Sequence, residues 1–236
     1  MFVLVPSTAK YFDAWRPFVA LARIYWPNRT WPLVLATDGG EALLKEHAAG
    51  FDEVRAVPED LGWSRNVLAA LKGEKADELC LFMQEDFFLS APVDVDALKD
   101  ATKFLQKNAD AACMRVFPCP GPAGSAEHGK VGRHAFGEVL KGEPYRISCQ
   151  AAVWRVSALR KALCAAPTPF GFEIRGTEAC VNWPERFWSV HRGPQPWPVE
   201  YVCSAINRGR WDQTALDLCA RHGIPVEAGR PVDKRA

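Results

Sequence analysis

Over residues 1–90, short apolar runs alternate with amphipathic segments, and few folds accept that order. "FVLVP" (2–6), "WPLVLATDGG" (31–40), "FDEVRAVP" (51–58) and "LCLFMQEDFFLS" (79–90) read as strands. Between them, "AWRPFVALARIYW" from Ala14 has helical spacing up to Pro27, "EALLKEHAAG" stops at Gly50, and "GWSRNVLAALKG" opens with Ser64 as an N-cap. The strands are continuous apolar runs rather than alternating ones, as expected when both faces are buried. Strand, helix, strand in that rhythm predicts an α/β fold with a mostly parallel central sheet flanked by helices.

The rest of the chain continues the sheet less regularly. "VDVDALKDATKFLQKN" reads as a helix, "AACMRVFPCPGP" as a strand, residues 121–137 as a mobile loop, and "YRISCQAAVWR" as a strand. "VSALRKALCAAP" and "WDQTALDLCARHG" read as helices, and "GRPVDKRA" as a basic tail. No internal repeat, low-complexity tract or linker divides the 236 residues, so one domain over 1–236 is expected.

The apolar run at 79–90 carries two adjacent acids, Glu85 and Asp86, and burying unpaired carboxylates is costly. In an open parallel sheet, ligands bind beyond the carboxyl ends of the strands, and these acids fall at such an end. Two acids there suit a hard divalent cation bound to a diphosphate. The plainer alternative is a strand end whose acids are solvated or paired with arginine.

Composition excludes several partners. The formal net charge is +1, so no global field draws the chain to nucleic acid or membrane. Residues 151–236 carry 12 Lys+Arg against 8 Asp+Glu, a weak pointer to an anionic partner in that part. No run reaches the roughly 18 apolar residues of a membrane span, and "MFVLVPSTAK" lacks the basic flank of a signal peptide. The eight cysteines form no C-x-x-C pair and read as buried free thiols, and Cys219 with His222 is a lone C-x-x-H. A monomer in a reducing cytoplasm is the expectation.

The stretch "GWSRNVLAALKGEKADELCLFMQEDFFL" resembles nucleotide-sugar glycosyltransferases of the A-type fold. In that family an Arg-Asn pair opens a helix, and the strand after it ends in a D-x-D-like acid motif. Arg65 and Asn66 fall on the pair, and Gln84, Glu85 and Asp86 on the acid triplet, with Gln84 in place of the usual first acid. The resemblance implies a nucleotide-sugar and metal half at 1–100 and an acceptor half at 101–236. It implies Mn²⁺ or Mg²⁺ held by Glu85 and Asp86, with His191 as third ligand, and a nucleotide-diphosphate sugar, foremost a UDP-sugar, as donor. Ser7, Thr8 and Asp38 would meet the base or ribose, although such residues are also common in loops and caps. Glu173 in "APTPFGFEIRGTEA" would be the general base for an inverting transfer, its pKa raised between Phe170 and Phe172, with Glu178 as runner-up; it also reads as a simple helix-start acid. His191 also reads as a surface histidine. Gln150 is a candidate sugar contact, and one or two of Trp154, Trp183, Trp188, Trp197 and Trp211 would be a stacking platform.

The acceptor is left open between a saccharide and a hydroxymethylated DNA base of phage type. A base would have to be flipped into the site, and a net charge of +1 argues against holding a duplex through many phosphates. Two rivals stand beside the transferase. A nucleotidyltransferase would show a glycine-rich basic loop after the first strand, and "PSTAKYF" has no glycine. A degenerate sugar-nucleotide-binding module would bind donor and hydrolyse none.

Overall fold

The first four strands lie side by side and run the same way, because each is joined to the next by a helix that must cross a face of the sheet. The computed structural model describes residues 1–57, 61–124 and 126–233. In chain order its first half is β1 (Phe2–Pro6), α1 (Trp15–Tyr25), β2 (Leu33–Thr37), α2 (Glu41–His47), β3 (Glu53–Ala56), α3 (Trp63–Ala70), β4 (Leu79–Phe82), β5 (Phe88–Leu89) and α4 (Val95–Lys107). The second half is β6 (Ala111–Arg115), β7 (Gly129–Val131), β8 (His134–Val139), β9 (Ala152–Arg155), α5 (Val156–Cys164), α6 (Pro169–Ala179), β10 (Arg186–Val190), β11 (Tyr201–Val202), β12 (Ile206–Asn207), β13 (Arg210–Asp212), α7 (Gln213–Arg221) and β14 (Val232–Asp233).

One nine-stranded sheet takes strands from both halves, in the order β3-β2-β1-β4-β9-β6-β10-β8-β7. The strand directions follow from the pairings: β9 and β8 run against the other seven. The expected mostly parallel α/β sheet is therefore present. Its two faces bury separate cores. Val3, Val5 and Leu81 meet α1 and α4 on one side, and Phe2, Leu4 and Phe82 meet α3, α5 and α6 on the other. Successive residues of a strand point to opposite faces, which explains why these strands have no polar side.

Four expectations change. The run 79–90 is not one strand. It leaves the sheet after Phe82, turns through Gln84–Phe87 with Phe87 N–H donating to the Gln84 carbonyl at 3.2 Å, and pairs Phe88–Leu89 antiparallel with β11. Ser64 is not the cap of α3. Gly62 precedes the helix with φ 86°, and the Ser64 hydroxyl donates to the Ala166 carbonyl. The strand read at 145–155 starts only at Ala152, because side chains occupy the backbone before it: the Tyr201 hydroxyl accepts from Ala151 N–H at 3.0 Å, and Ser148 Oγ from Gln150 N–H at 3.2 Å. Most of the presumed mobile loop 121–137 is ordered as the β7–β8 hairpin, with Ser125 outside the described residues. Pro58 of the third predicted strand and residues 234–236 of the basic tail also lie outside them. No helix among the described residues is long and apolar enough to cross a membrane.

Candidate active site

Strands β1 and β4 are neighbours and parallel, so the loops that follow them emerge together. The first brings Ser7, Thr8 and Tyr11, and the second brings Gln84, Glu85, Asp86 and Phe87. The second half closes the space with Cys149 and Gln150, Pro169 and Glu173 of α6, and Cys203, Ser204 and Ile206. With Pro6 and Trp63 these residues line one cavity of about 460 Å³, within the usual range of about 300–1,000 Å³ for small-molecule sites. Among the described lining residues there is no lysine or arginine.

The two acids sit in the turn rather than in a strand, so the period of two does not send them to opposite faces. Both face the cavity. Glu85 is 6% exposed. Burial pushes its carboxyl well above the usual range, the Asp86 charge adds to this, and a hydrogen bond from Ser7 offsets part of it. Ser7 Oγ in turn accepts from the indole N–H of Trp15 at 2.7 Å. Asp86 is pushed up by burial as well, against the pull of the Ser204 hydroxyl, which donates to its Oδ2, and of the Ile206 N–H. Its main-chain carbonyl accepts from Ala205 N–H at 2.8 Å, tying the acid turn to the second half. Burial also raises the Tyr11 phenol, with Glu85 the next cause.

Tyr11 stands on a 3₁₀ turn, Ala9–Ala14, that the C-terminal segment clamps. Arg230 donates to both oxygens of Asp13 at 2.7 Å and to the Lys10 carbonyl at 2.8 Å, with its guanidinium over the Tyr11 ring at 4.9 Å. The basic tail thus spends this arginine inside the molecule.

Glu173 lies in the second turn of α6, whose first turn is capped by Thr168 Oγ1 accepting from Gly171 N–H at 3.0 Å. Its Oε1 accepts from Ser148 Oγ and Cys149 N–H, each at 2.9 Å. The expected apolar enclosure is absent. Phe170 is 73% exposed, and Phe172 points into the opposite core beside Trp63 and Phe82. Gln150 is at the cavity too, with Oε1 accepting from the Tyr201 hydroxyl at 2.5 Å. Gln84 hydrogen-bonds the Cys149 thiol.

The structure thus gathers Ser7, Thr8, Gln84, Glu85, Asp86, Gln150 and Glu173. It does not gather the others. Asp38 flanks a neighbouring hollow and supports the site indirectly, with Oδ1 accepting from Ala9 N–H at 2.7 Å. Arg65 is exposed on α3 and lines no part of the cavity. Asn66 is buried, and its Oδ1 accepts from Leu61 N–H at 3.0 Å, which fixes the entry to α3. His191 lies beyond the end of β10 in a different hollow, so it is not a third ligand beside the acids. Among the described residues no group of three or more His, Cys, Asp or Glu is placed to hold a metal by itself. Glu178 is exposed at the far end of α6. Trp154, Trp188, Trp197 and Trp211 are core, and Trp183 packs under Lys161 at 4.4 Å. The indole at the cavity is Trp63, which sequence reasoning passed over along with Tyr11 and Ser204. Tyr11 and Trp63 adjoin the motifs and were findable there. Ser204 gives no local signal.

No family model and no curated protein matches this chain. Solved structures do. A 1–349 fragment of Staphylococcus aureus TarS, a glycosyltransferase of the A-type fold, superposes with a TM-score of 0.50 at 14% identity, over 84% of this chain and 59% of that one. The galactosyltransferase LgtC, solved with donor and acceptor sugar analogues, gives 0.39 at 10% identity over 68% of this chain and 60% of that one. Francisella tularensis 2-C-methyl-D-erythritol 4-phosphate cytidylyltransferase gives 0.38 at 12% identity over 69% and 76%. The TarS likeness shows that the fold is of the A-type, and this chain spans 59% of the length of that fragment.

Proposed function

We propose that this chain is a glycosyltransferase that moves a sugar from a nucleotide-diphosphate sugar, foremost a UDP-sugar, to an acceptor hydroxyl. The observation that supports it most is the cavity itself. It collects two carboxylates after β4, the Ser7–Tyr11 loop after β1, and a third carboxylate from α6, at the sheet edge where an A-type fold places its ligands.

The charge balance supports a metal. A donor diphosphate entering this cavity meets Glu85 and Asp86 and no lysine or arginine. Glu85 and Asp86 offer hard oxygen ligands and would hold Mn²⁺ or Mg²⁺. Such an ion, when bound, offsets the charge that develops on the departing diphosphate. Ser204 and Ser7 orient the two acids, and Tyr11 and Trp63 offer ring faces to the base or sugar.

Glu173 is the general base in this reading. Its two hydrogen bonds both fall on Oε1, which leaves Oε2 to take the proton from the acceptor hydroxyl. The acceptor oxygen bonds to the anomeric carbon as the bond to the diphosphate breaks, and direct displacement inverts that centre. Gln150, which lines the cavity, would contact a sugar hydroxyl. The net charge of +1 favours a saccharide acceptor over a DNA duplex.

The test is a donor and acceptor screen read by mass spectrometry, with Mn²⁺, a panel of nucleotide sugars, and either oligosaccharides or DNA containing 5-hydroxymethylcytosine. A hexose-sized mass gain on an oligosaccharide is expected. Gain on the DNA alone would reassign the acceptor. A folded protein that neither hydrolyses nor transfers any donor would sink the enzyme and leave the binding module.

A further inference from the structure

We propose that the hollow at the end of β10 binds a phosphate group carried by the saccharide acceptor, so that the enzyme proposed above acts on a phosphorylated saccharide. The hollow has a volume of about 330 Å³, and its walls include Lys130, Arg133, His134 and His191. Arg192 is exposed beside it. Among the described residues no carboxylate pairs with Lys130, Arg133 or Arg192. Glu127 is the one acid in the wall, and Asp94 hydrogen-bonds His134 at 3.2 Å, an imidazole whose pKa burial holds below its ordinary value. An uncharged acceptor gives these cations nothing to bind, whereas a phosphate gives them charge-assisted hydrogen bonds.

Two features mark the hollow as a formed site rather than a loose patch of surface charge. The hairpin that carries Lys130 and Arg133 is seated closely on α4: Gly132 has φ 54°, a Cβ there would lie 3.1 Å from that of Ala97, and its N–H donates to Asp100 Oδ2 at 3.2 Å. Arg133 Nη2 is fixed by the Pro196 carbonyl at 3.0 Å. The second feature is His191, whose Nε2 is buried with no hydrogen-bond partner among the described residues. An unpartnered buried nitrogen is costly, and because the atom has no open surface a rotation of the ring would bring it to an anionic ligand in the hollow.

The position suits an acceptor. Strands β4 and β10 run the same way, so both cavities open at the same edge of the sheet. Three interstrand steps separate β4 from β10, about 14 Å at roughly 4.8 Å each, and two more reach Lys130 on β7, about 24 Å in all. The loop after β6 bridges the gap and packs on the loop after β10, with Gly121 against the Val190 carbonyl and the Arg192 N–H. A phosphate held at the hollow therefore lies a few sugar units from the hydroxyl at Glu173. A hollow with two cations in its wall and a third beside it fits one phosphate group better than a nucleic-acid backbone.

The test titrates inorganic phosphate into the full chain by calorimetry with UDP and Mg²⁺ present at saturation, so that the donor cavity is filled. UDP binding is measured separately. Wild type is expected to bind phosphate, and Lys130→Ala/Arg133→Ala to bind it about tenfold more weakly or worse, the scale of losing charge-assisted hydrogen bonds. With a phosphorylated oligosaccharide acceptor, the same variant should raise the acceptor KM by a similar factor and leave the donor KM in place. No phosphate binding by wild type, or equal binding by the variant, overturns the proposal whatever UDP does. Absence of UDP binding with phosphate still held overturns the transferase reading instead. If the double variant loses UDP and phosphate together, Lys130→Ala alone decides, since that side chain is exposed and bonds no other residue among those described: unchanged phosphate affinity refutes the site. A single-stranded oligodeoxynucleotide bound more tightly than an equally charged phosphorylated oligosaccharide overturns the saccharide assignment.

Discussion

Arg230→Ala should destabilise the protein by about 2–4 kcal/mol, between the figures for a broken buried ion pair and a surface one. The arithmetic starts from Asp13. Its side chain is 9% exposed and that of Arg230 12%. Both carboxylate oxygens accept from the same guanidinium at 2.7 Å. Truncating the arginine strands a nearly buried carboxylate, and breaking a fully buried pair costs about 3–5 kcal/mol. The residual exposure of both groups lowers that figure. The lost bond to the Lys10 carbonyl adds little, since that group is exposed and water replaces the donor. Urea unfolding reads the effect as a midpoint shift of about 1 M or more, given slopes of about 1–3 kcal/mol/M. The clamp also holds the turn that presents Tyr11 to the cavity, so UDP affinity should fall in parallel. Asp13→Asn/Arg230→Met, which removes both charges, should recover most of the stability. A loss under about 0.5 kcal/mol in Arg230→Ala would refute the reasoning, because the pair would then behave as a surface pair.

Asp86→Ala should abolish transfer and the stabilisation by UDP with Mn²⁺ seen in thermal melts, and near-wild-type turnover in the folded variant would remove the acids from the chemistry. Glu173→Gln should bind UDP normally and lose transfer by about 10²–10⁴-fold, while Glu178→Gln, exposed and outside the cavity, should be near wild type; a dead Glu178→Gln would show that the base is misassigned. For pH, the carboxyls of Glu85 and Asp86 are raised by burial, so the folded protein holds more protons than the unfolded one between the ordinary carboxylate range and their raised values. Stability must then fall as pH rises through that window. Metal-free protein should lose stability between about pH 5 and pH 7.5, and Glu85→Gln should flatten the slope and raise the Tm near neutrality; an unchanged slope would show that the acid is not paying the burial cost described. Arg65→Ala, at an exposed site off the cavity, should leave UDP affinity within about twofold and stability within about 0.5 kcal/mol, and a large rise in donor KM would mean that α3 moves when donor binds.

The fold was legible because its signals are local and repeated. Apolar runs such as "FVLVP" and "LCLF", separated by amphipathic helices, admit little besides a covered parallel sheet, and β1 and β2 form within the runs that predict them while β4 takes only the first four residues of its run. The failures have physical causes. Backbone groups at 145–151 read as strand but bond to Ser148 and Tyr201 side chains, and Tyr201 lies 50 residues from Ala151. Residues 129–137 carry glycine, lysine and histidine and read as loop, yet they pair as an edge hairpin because β10 supplies the partner. In the site, acids next to strand ends were found, since a strand fixes where its end emerges. Arg65 and Asn66 were misplaced because helical spacing does not say which face of α3 turns to the cavity. Ser204 was invisible, being brought to Asp86 by contacts 118 residues apart.

Glu85 and Asp86 show why a locally unfavourable choice persists in an otherwise consistent sequence. Most of the surrounding structure makes them harder to ionise: the apolar strand before them, Phe87 and Phe88 after them, the neighbouring like charge, and a cavity wall without a lysine or arginine among its described residues. A chain selected for stability alone would place a cation there or remove the acids. Instead Arg230, whose charge is a minor help to Glu85, is held by Asp13 beside Tyr11. Among the described residues the acids' hydrogen-bond partners are hydroxyl and amide groups, of Ser7, Ser204 and Ile206, which orient them without neutralising them. Such an arrangement conflicts with folding and agrees with the proposed function, in which the pair would offer hard oxygen ligands to a divalent cation that arrives with its own anionic partner.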